Sequence, residues 1–277
     1  MSTIETLSAE ADRRVRLNVL RLAVAGALSG ANAIVVYATG AIVGAQLAPD
    51  PVFITMPISL FVVGMAAGTL PTGYVSRVYG RKRAFMIGAS LGVVAGLIGA
   101  LAIYRASFML FCAATFCAGL YGAVSQSYRF AATDGASPAF RPRAISWVMA
   151  GGLAGGVLGP QLVEYTMNLW QPHLFAVSFL GQAAVAALSL VLLRAVDAPK
   201  PAPSDTQGAR PLLEIAATPK FLIAALCGVV SYALMNLVMT SAPLAMKLCG
   251  LSLTQSNYGI QWHVLGDRKS TRLNSSH

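Results

Sequence analysis

Long apolar segments separated by short polar ones dominate this chain of 277 residues. A transmembrane helix needs roughly 20 consecutive apolar residues, whereas a transmembrane β-strand is about 10 residues long and alternates in polarity. The pattern therefore predicts an all-α membrane protein, a polytopic helical bundle. Its eight candidate helices are the stretches without Asp, Glu, Lys or Arg at residues 22–47, 51–76, 84–104, 106–128, 144–163, 165–193, 221–246 and 248–266.

Charge is scarce and unevenly placed. Only 11% of the residues are charged, about half the share in a soluble domain. The net charge of +10 is spread over the connections between the apolar segments, so it does not predict a nucleic-acid partner. An excess of basic residues in short loops marks the cytoplasmic side. This excess predicts a multi-pass inner-membrane protein with a cytoplasmic N-terminus. The segments on one predicted side carry only Arg105 and Lys247. The segments on the other side, with the N-terminus, carry Arg13, Arg14, Arg16, Arg77, Arg81, Lys82, Arg83, Arg141, Arg143, Arg194, Lys200, Arg210 and Lys220.

A polar stretch with five prolines divides the chain into two helical parts. We predict an N-terminal six-helix transmembrane bundle over residues 1–194, a cytoplasmic linker over 195–220, and the beginning of a second bundle over 221–265. The final residues, 266–277, read GDRKSTRLNSSH and place three adjacent charges within an apolar segment. Such charges are costly in lipid, and we therefore expect these residues to be a non-native tail on a truncated chain.

The connection between the second and third predicted helices reads GYVSRVYGRKR over residues 73–83. It resembles the loop motif G-x-x-x-D-R-x-G-R-R/K of the major facilitator superfamily of secondary transporters, with Gly73, Gly80, Arg81 and Lys82 at matching positions. Arg77 stands where that motif has its acid. The resemblance implies two bundles that rock about a midplane site, with this loop in the cytoplasmic gate.

The same loop also has a physical interpretation of its own. Gly73 would allow close approach of a neighbouring helix, and Gly80 would supply a tight turn. The three cations at 81–83 cannot serve the helix dipole, which prefers anions at this end, so lipid phosphates or helix carboxyl ends are the expected contacts. A plain cluster that only sets topology remains the alternative.

The fifth predicted helix carries a glycine ridge followed by a proline, within GGLAGGVLGPQL at residues 151–162. Gly151, Gly155, Gly159 and Pro160 resemble the end of the antiporter motif of the same superfamily. A ridge without side chains permits close helix contact, and Pro160 would bend the helix. Generic small-residue packing is the alternative, so the ridge does not decide between uptake and export.

Polar residues inside the spans are the candidate substrate contacts. The resemblance implies that the first, fourth and seventh helices line the central cavity, and the polar residues there are Asn32, Tyr37, Gln126, Tyr232 and Asn236. Polar side chains within lipid are costly unless they face a cavity or a partner. Hydrogen bonds that only join helices are the alternative for each of them.

Ionisable residues near the spans give a second set of candidates. Glu164 and His263 could carry a proton for coupling. For Glu164 a solvated carboxylate at the outer interface is the alternative. Arg129 is expected to reach the inner interface, where Asp134 could pair with it.

The predicted function is that of a secondary transporter that moves a small solute by alternating access, with proton coupling and efflux left open. A non-transporting receptor or scaffold of the same fold, or an inactive truncated fragment, is the alternative. An enzyme is not expected, since no paired acids, metal set or activated nucleophile lies in the spans. We predict no cofactor and no metal, and as partners a small-molecule substrate and the lipid bilayer, with a monomeric state.

Overall fold

The computed structural model describes residues 3–197 and 212–273, with side chains described for 12–197 and 214–266. Regular structure in this part of the chain is helical throughout. Three short helices cover Pro51–Phe53, Tyr128–Ala131 and Leu212–Ala216. The long helices are α1 (Thr3–Leu47), α2 (Met56–Tyr79), α3 (Arg81–Tyr104), α4 (Phe108–Ser125), α5 (Arg141–Thr166), α6 (Ala176–Arg194), α7 (Pro219–Leu248) and α8 (Leu253–Leu273).

Among the described residues, six helices are long and apolar enough to cross a membrane, which confirms the predicted polytopic helical fold. They are Asp12–Leu47, Pro51–Tyr79, Arg81–Tyr104, Phe108–Ala131, Ala176–Arg194 and Pro219–Leu248. Glycine in α5, and amide and charged residues in α8, lower the hydropathy of these two helices. The helices α5 and α8 pack against each other.

The first bundle is formed by α1 to α6. In it α1 packs on α5 and α6, α2 packs on α4, and α3 packs on α4 and α6. From the second part of the chain, α8 contacts α5 and α7 contacts α1. We call the end of the molecule where α1, α3, α5 and α7 begin the near face, and the opposite end the far face.

The hydrophobic core is divided between these two faces. The near-face cluster contains Val19, Phe85, Tyr128 and Leu193, and none of its described buried residues belongs to α7 or α8. The far-face cluster contains Ile42 and Phe111 of the first bundle together with Met239 of α7 and Ile260 of α8. The two parts of the chain therefore share a core only toward the far face.

The first helix is longer than its apolar segment predicts. It starts at Thr3, and the end of α6 contacts it near the start of the apolar segment. Asn18 Nδ2 donates to the Asp197 carbonyl at 2.9 Å, the Asp197 N–H donates to Asn18 Oδ1 at 3.2 Å, and Arg21 donates to the Ala195 carbonyl. These bonds satisfy carbonyls that a helix end leaves without partners.

The predicted division into bundle, linker and second bundle stays a prediction. Most of the predicted linker lies outside the described residues, which resume at Leu212 with a short helix. The backbone of α8 continues as a helix to Leu273, beyond the point at which we expect the non-native tail to begin.

Candidate functional site

A cavity of about 250 Å³ lies between the two parts of the chain. Side chains or backbone of α1, α2, α4, α5, α7 and α8 line it, together with Arg129 of the short helix after α4. Ligand sites in proteins are commonly such clefts between packed units. The cavity is therefore the candidate substrate site.

Three of the candidate substrate contacts line this cavity, namely Tyr37, Gln126 and Tyr232. The Tyr37 hydroxyl donates to Asn236 Oδ1 at 2.8 Å, and Asn236 Nδ2 donates to the Tyr232 carbonyl. Asn236 thus fixes the Tyr37 side chain from α7 and joins the two parts of the chain at the cavity wall.

Asn32 does not line this cavity, so contact between Asn32 and substrate stays a prediction. Its side chain is only 2% exposed. Gln182 Nε2 of α6 donates to Asn32 Oδ1 at 2.7 Å. This buried pair holds α1 and α6 together, as polar residues between membrane helices commonly do.

The cavity includes residues that the sequence reasoning missed. Arg129 lines it, and its guanidinium carbon lies 5.0 Å from the ring centroid of Phe130. Asp134, which we named as a possible partner of Arg129, instead pairs with Arg81, whose Nε lies 2.7 Å from Asp134 Oδ2. The sequence signal for Arg129 was its position just beyond a charge-free segment. That position predicted the inner interface and did not predict a place in the cavity wall.

Most of the remaining cavity wall is apolar and polarisable. Phe61 and Met65 of α2, Met149 of α5, and Met235 and Met239 of α7 line it. His263 adds an imidazole, and its Nε2 is buried without a hydrogen bond to any described residue. Methionine and aromatic side chains adapt well to flat aromatic solutes.

Polar contacts between the two parts of the chain continue from the cavity toward the far face. Thr254 Oγ1 donates to Glu164 Oε1 at 2.7 Å, and Asn257 Nδ2 donates to Glu164 Oε2 at 3.2 Å. Gln161 Nε2 donates to Gln261 Oε1 at 3.2 Å. Glu164 is half-buried in this contact and does not line the cavity. It therefore differs from a fully solvated carboxylate at the outer interface, which was the alternative for this residue.

Gly80 forms the turn of the predicted gate loop. It ends α2 and precedes α3 with φ 91° and ψ 153°, a conformation that is essentially restricted to glycine. Gly73 behaves differently from the expectation, because a Cβ atom added there would have nothing within 4 Å among the described residues. Close helix approach does not require a glycine at that position.

Arg81 does not contact a helix carboxyl end as we expected. It binds Asp134 through Nε, and its Nη2 donates to Asp134 Oδ1 at 3.3 Å. Burial raises the pKa of the Asp134 carboxyl above its ordinary value, and the nearby Arg81 guanidinium opposes that rise. Arg77 and Lys82 are exposed on the near face. The Arg81–Asp134 pair joins the start of α3 to the connection between α4 and α5.

The glycine ridge of α5 lies against α1. A Cβ atom at Gly151 would come within 2.0 Å of the Ala23 carbonyl oxygen, and one at Gly155 within 2.6 Å of the Ala27 oxygen. At Gly159 it would lie 2.7 Å from Ile34 Cβ, and the helix continues through Pro160 to Thr166. Because α1 and α5 both line the cavity, their close crossing sets part of its shape.

A metal centre is not evident in the described part of the chain, where no group of three His, Cys, Asp or Glu side chains is arranged to hold an ion. The chemistry of the cavity comes instead from one arginine, one imidazole, amide and phenol groups, and a large apolar wall.

A multi-pass helical bundle with a central cavity between two packed parts is the architecture of membrane transport proteins. A model of the Major Facilitator Superfamily matches residues 22–264, and the chain belongs to this family. The loop at residues 73–82 resembles the motif of the same family.

Relatives of known name agree with that assignment. The chain is 46% identical over 255 residues to the riboflavin transporter RfnT of Brucella anthropi, and the match covers 90% of this chain and 64% of that protein. It is 28% identical over 246 residues to the MFS-type transporter YdeG of Bacillus subtilis, covering 81% of this chain and 56% of that protein. The chain thus spans less than two thirds of the length of these relatives.

The fold also matches a solved transporter structure. The crystal structure of a D-xylose-proton symporter superposes with a TM-score of 0.72, covering 94% of this chain and 68% of the other. The sequences are 17% identical, so this likeness establishes the fold alone.

Proposed function

We propose that the protein is a secondary transporter that moves a small organic solute by alternating access, and that riboflavin is its first candidate substrate. The similarity to RfnT over 90% of this chain is the observation that supports the substrate. The cavity supports it as well, because a flavin is a flat aromatic solute and the wall is rich in methionine and aromatic side chains. Tyr37, Gln126 and Tyr232 would contact this solute.

The near face would be cytoplasmic and the protein would lie in the inner membrane. Arg14, Arg83 and Arg143 are exposed at the near face, as are most other loop cations. Cations in short cytoplasmic loops are the usual determinant of orientation. We further propose a monomer without a nucleic-acid partner, built as a first bundle over residues 1–194, a linker over 195–220 and a second bundle that begins at 221.

In this arrangement the cavity would be open to the cytoplasm. The first half of α7, from residue 219 to 234, is exposed throughout, whereas Met239 and Pro243 further along are buried. The near-face cluster has no described residue from α7 or α8. This pattern supports an arrangement in which α7 and α8 are apart from the first bundle on the near side and joined to it on the far side.

The transport cycle would require the far-side contacts to break. Rocking of the bundles exposes the cavity to the other side only if Tyr37 leaves Asn236 and Glu164 leaves Thr254 and Asn257. We propose that Glu164 acts as a latch between bundles. Protonation would weaken its acceptor role, which is how it could couple a proton to the cycle. His263, in the cavity wall, is the second coupling candidate.

Uptake by liposomes tests the function. The protein at its full genomic length is reconstituted, and entry of labelled riboflavin is followed with and without an imposed proton gradient. We expect saturable uptake that excess unlabelled riboflavin abolishes, and that Tyr232→Ala weakens relative to Tyr258→Ala, an exposed tyrosine of α8 that does not line the cavity. Saturable binding without uptake would favour the receptor alternative, and neither binding nor uptake would contradict the proposed substrate.

A further inference from the structure

Two nitrogen atoms in the cavity region are left without a partner. Arg129 and His263 both line the cavity, and Arg129 Nε and His263 Nε2 are buried without a hydrogen bond to any described residue. Buried polar groups in folded proteins are almost always paired. Side chains that remain unpaired in the wall of a cavity are suited to bind a solute that enters it.

The charge of Arg129 is not neutralised within the cavity. No carboxylate occurs among the described residues of the wall. Asp134 lies five residues further along the chain, but its carboxylate is bound by Arg81. An arginine side chain remains charged at any physiological pH. In a partly buried cavity its attraction for electron-rich atoms is stronger than in bulk water.

The rest of the wall restricts the solute that could use this charge. Phe61, Met65, Met235 and Met239 offer apolar contact and no strong hydrogen-bond donor. A solute that fills the cavity would therefore place apolar or aromatic surface against these four residues. Its remaining polar atoms could face Tyr37, Gln126 and Tyr232, which also line the cavity.

We propose that Arg129, assisted by His263, determines specificity by binding a pair of adjacent acceptor atoms on a flat, largely aromatic solute. This inference rests on the proposed transport function and assigns the polar contact within it. A guanidinium group has parallel N–H donors, which match two adjacent acceptors better than an ammonium does. In a flavin such pairs occur at the ring edge, where a carbonyl oxygen lies beside an acceptor nitrogen of the ring, and, in its phosphorylated form, on the phosphate.

Riboflavin uptake by reconstituted variants of the full-length protein tests this assignment. We expect Arg129→Gln to raise KM for riboflavin about tenfold or more, as for loss of a hydrogen bond to a charged group, and to change kcat little. Arg129→Lys keeps the charge but loses the paired donors, so its KM should lie between those of the wild type and Arg129→Gln. His263→Gln should raise KM less than Arg129→Gln does. Arg143→Gln removes an exposed arginine outside the cavity and should leave KM unchanged.

Competition experiments distinguish the two sources of acceptor atoms. If the ring edge binds Arg129, lumiflavin, which has the same ring system with a methyl group in place of the ribityl side chain, should inhibit the wild type and lose potency in Arg129→Gln by the same factor as riboflavin. If the phosphate binds, flavin mononucleotide should inhibit the wild type better than riboflavin does and lose that advantage in Arg129→Gln. Either pattern supports the proposal.

Two results would overturn it. If Arg129→Gln changes neither the KM for riboflavin nor the potency of flavin mononucleotide as a competitor, or lowers only kcat and thermal stability, Arg129 is a structural residue and riboflavin transport itself stands. If Arg129→Gln does not fold, the KM of Arg129→Lys decides in the same way. No flavin uptake by the wild type would overturn both this inference and the proposed substrate.

Discussion

Single residues in this chain take their roles from the space and partners around them. Gly73 and Gly80 occupy matching motif positions only seven residues apart, yet one lies in open surroundings within α2 and the other has φ 91° at a helix junction. The same residue type therefore carries different constraints. The motif alone does not reveal this difference.

Alanine at these two glycines should have opposite effects on stability. At Gly80 an alanine would be strained by about 1–3 kcal/mol, because a side chain rarely adopts this backbone conformation. At Gly73, inside a helix with free space, alanine should stabilise by roughly 0.5–1 kcal/mol. Thermal unfolding of the full-length protein in detergent measures both. Equal shifts in the same direction would contradict the assigned turn.

Polar residues show what the sequence could and could not predict at this scale. Asn32 and Tyr37 lie on the same helix and were equivalent candidates. The structure pairs Asn32 with Gln182, 150 positions away, and pairs Tyr37 with Asn236, 199 positions away. Polarity within a span predicts that a partner exists. It does not predict which distant helix supplies the partner.

The helices themselves follow closely from the apolar segments, since each segment requires internal hydrogen bonding in lipid. Their ends do not follow so closely. The helix α1 starts at Thr3, well before its apolar segment, and its Asn18 and Arg21 meet the end of α6, which no local pattern shows. The apolar segment that begins at Phe108 likewise does not show that Arg129, just beyond it, lines the cavity.

The crossing of α1 and α5 should be sensitive to added volume. Gly155→Leu would force side-chain atoms into the backbone of α1 at Ala27 and Gly30, where a single Cβ already lies within 3 Å. We expect a loss of about 3 kcal/mol in stability from overpacking. Gly73→Leu is the matched control and should cost far less. The comparison requires only melting curves of the two variants, and similar losses would contradict close packing at this crossing.

At the scale of the whole molecule, orientation is open to direct measurement. In a background without the four native cysteines, we expect a cysteine at Lys82 to react with an impermeant reagent only from the cytoplasm and one at Asp50 only from outside. Both positions are exposed, on opposite faces. Labelling of intact cells and of inverted vesicles gives the two accessibilities. The reverse result would contradict the proposed cytoplasmic N-terminus.

The contacts of Glu164 should bias the balance between conformations of the whole molecule. Glu164→Ala removes two hydrogen bonds between α5 and α8, worth about 1–3 kcal/mol at a charged acceptor. We expect the far side to open more often, seen as longer distances between spin labels at Asp50 and Lys247. Tyr165→Ala, at the exposed neighbouring position, should leave the distances unchanged. Unchanged distances in Glu164→Ala would argue against a latch.

The split hydrophobic core has a consequence for inhibitors. Because the described residues of α7 and α8 share a core with α1 to α6 only toward the far face, we expect a blocking molecule to reach the cavity more easily from the near side. With the near face cytoplasmic, as we propose, a bulky competitor that cannot cross the bilayer should inhibit strongly when enclosed on the cytoplasmic side of a vesicle. The same competitor added to the opposite side should inhibit weakly. Its inhibition there should be limited by the population of the conformation that opens on that side.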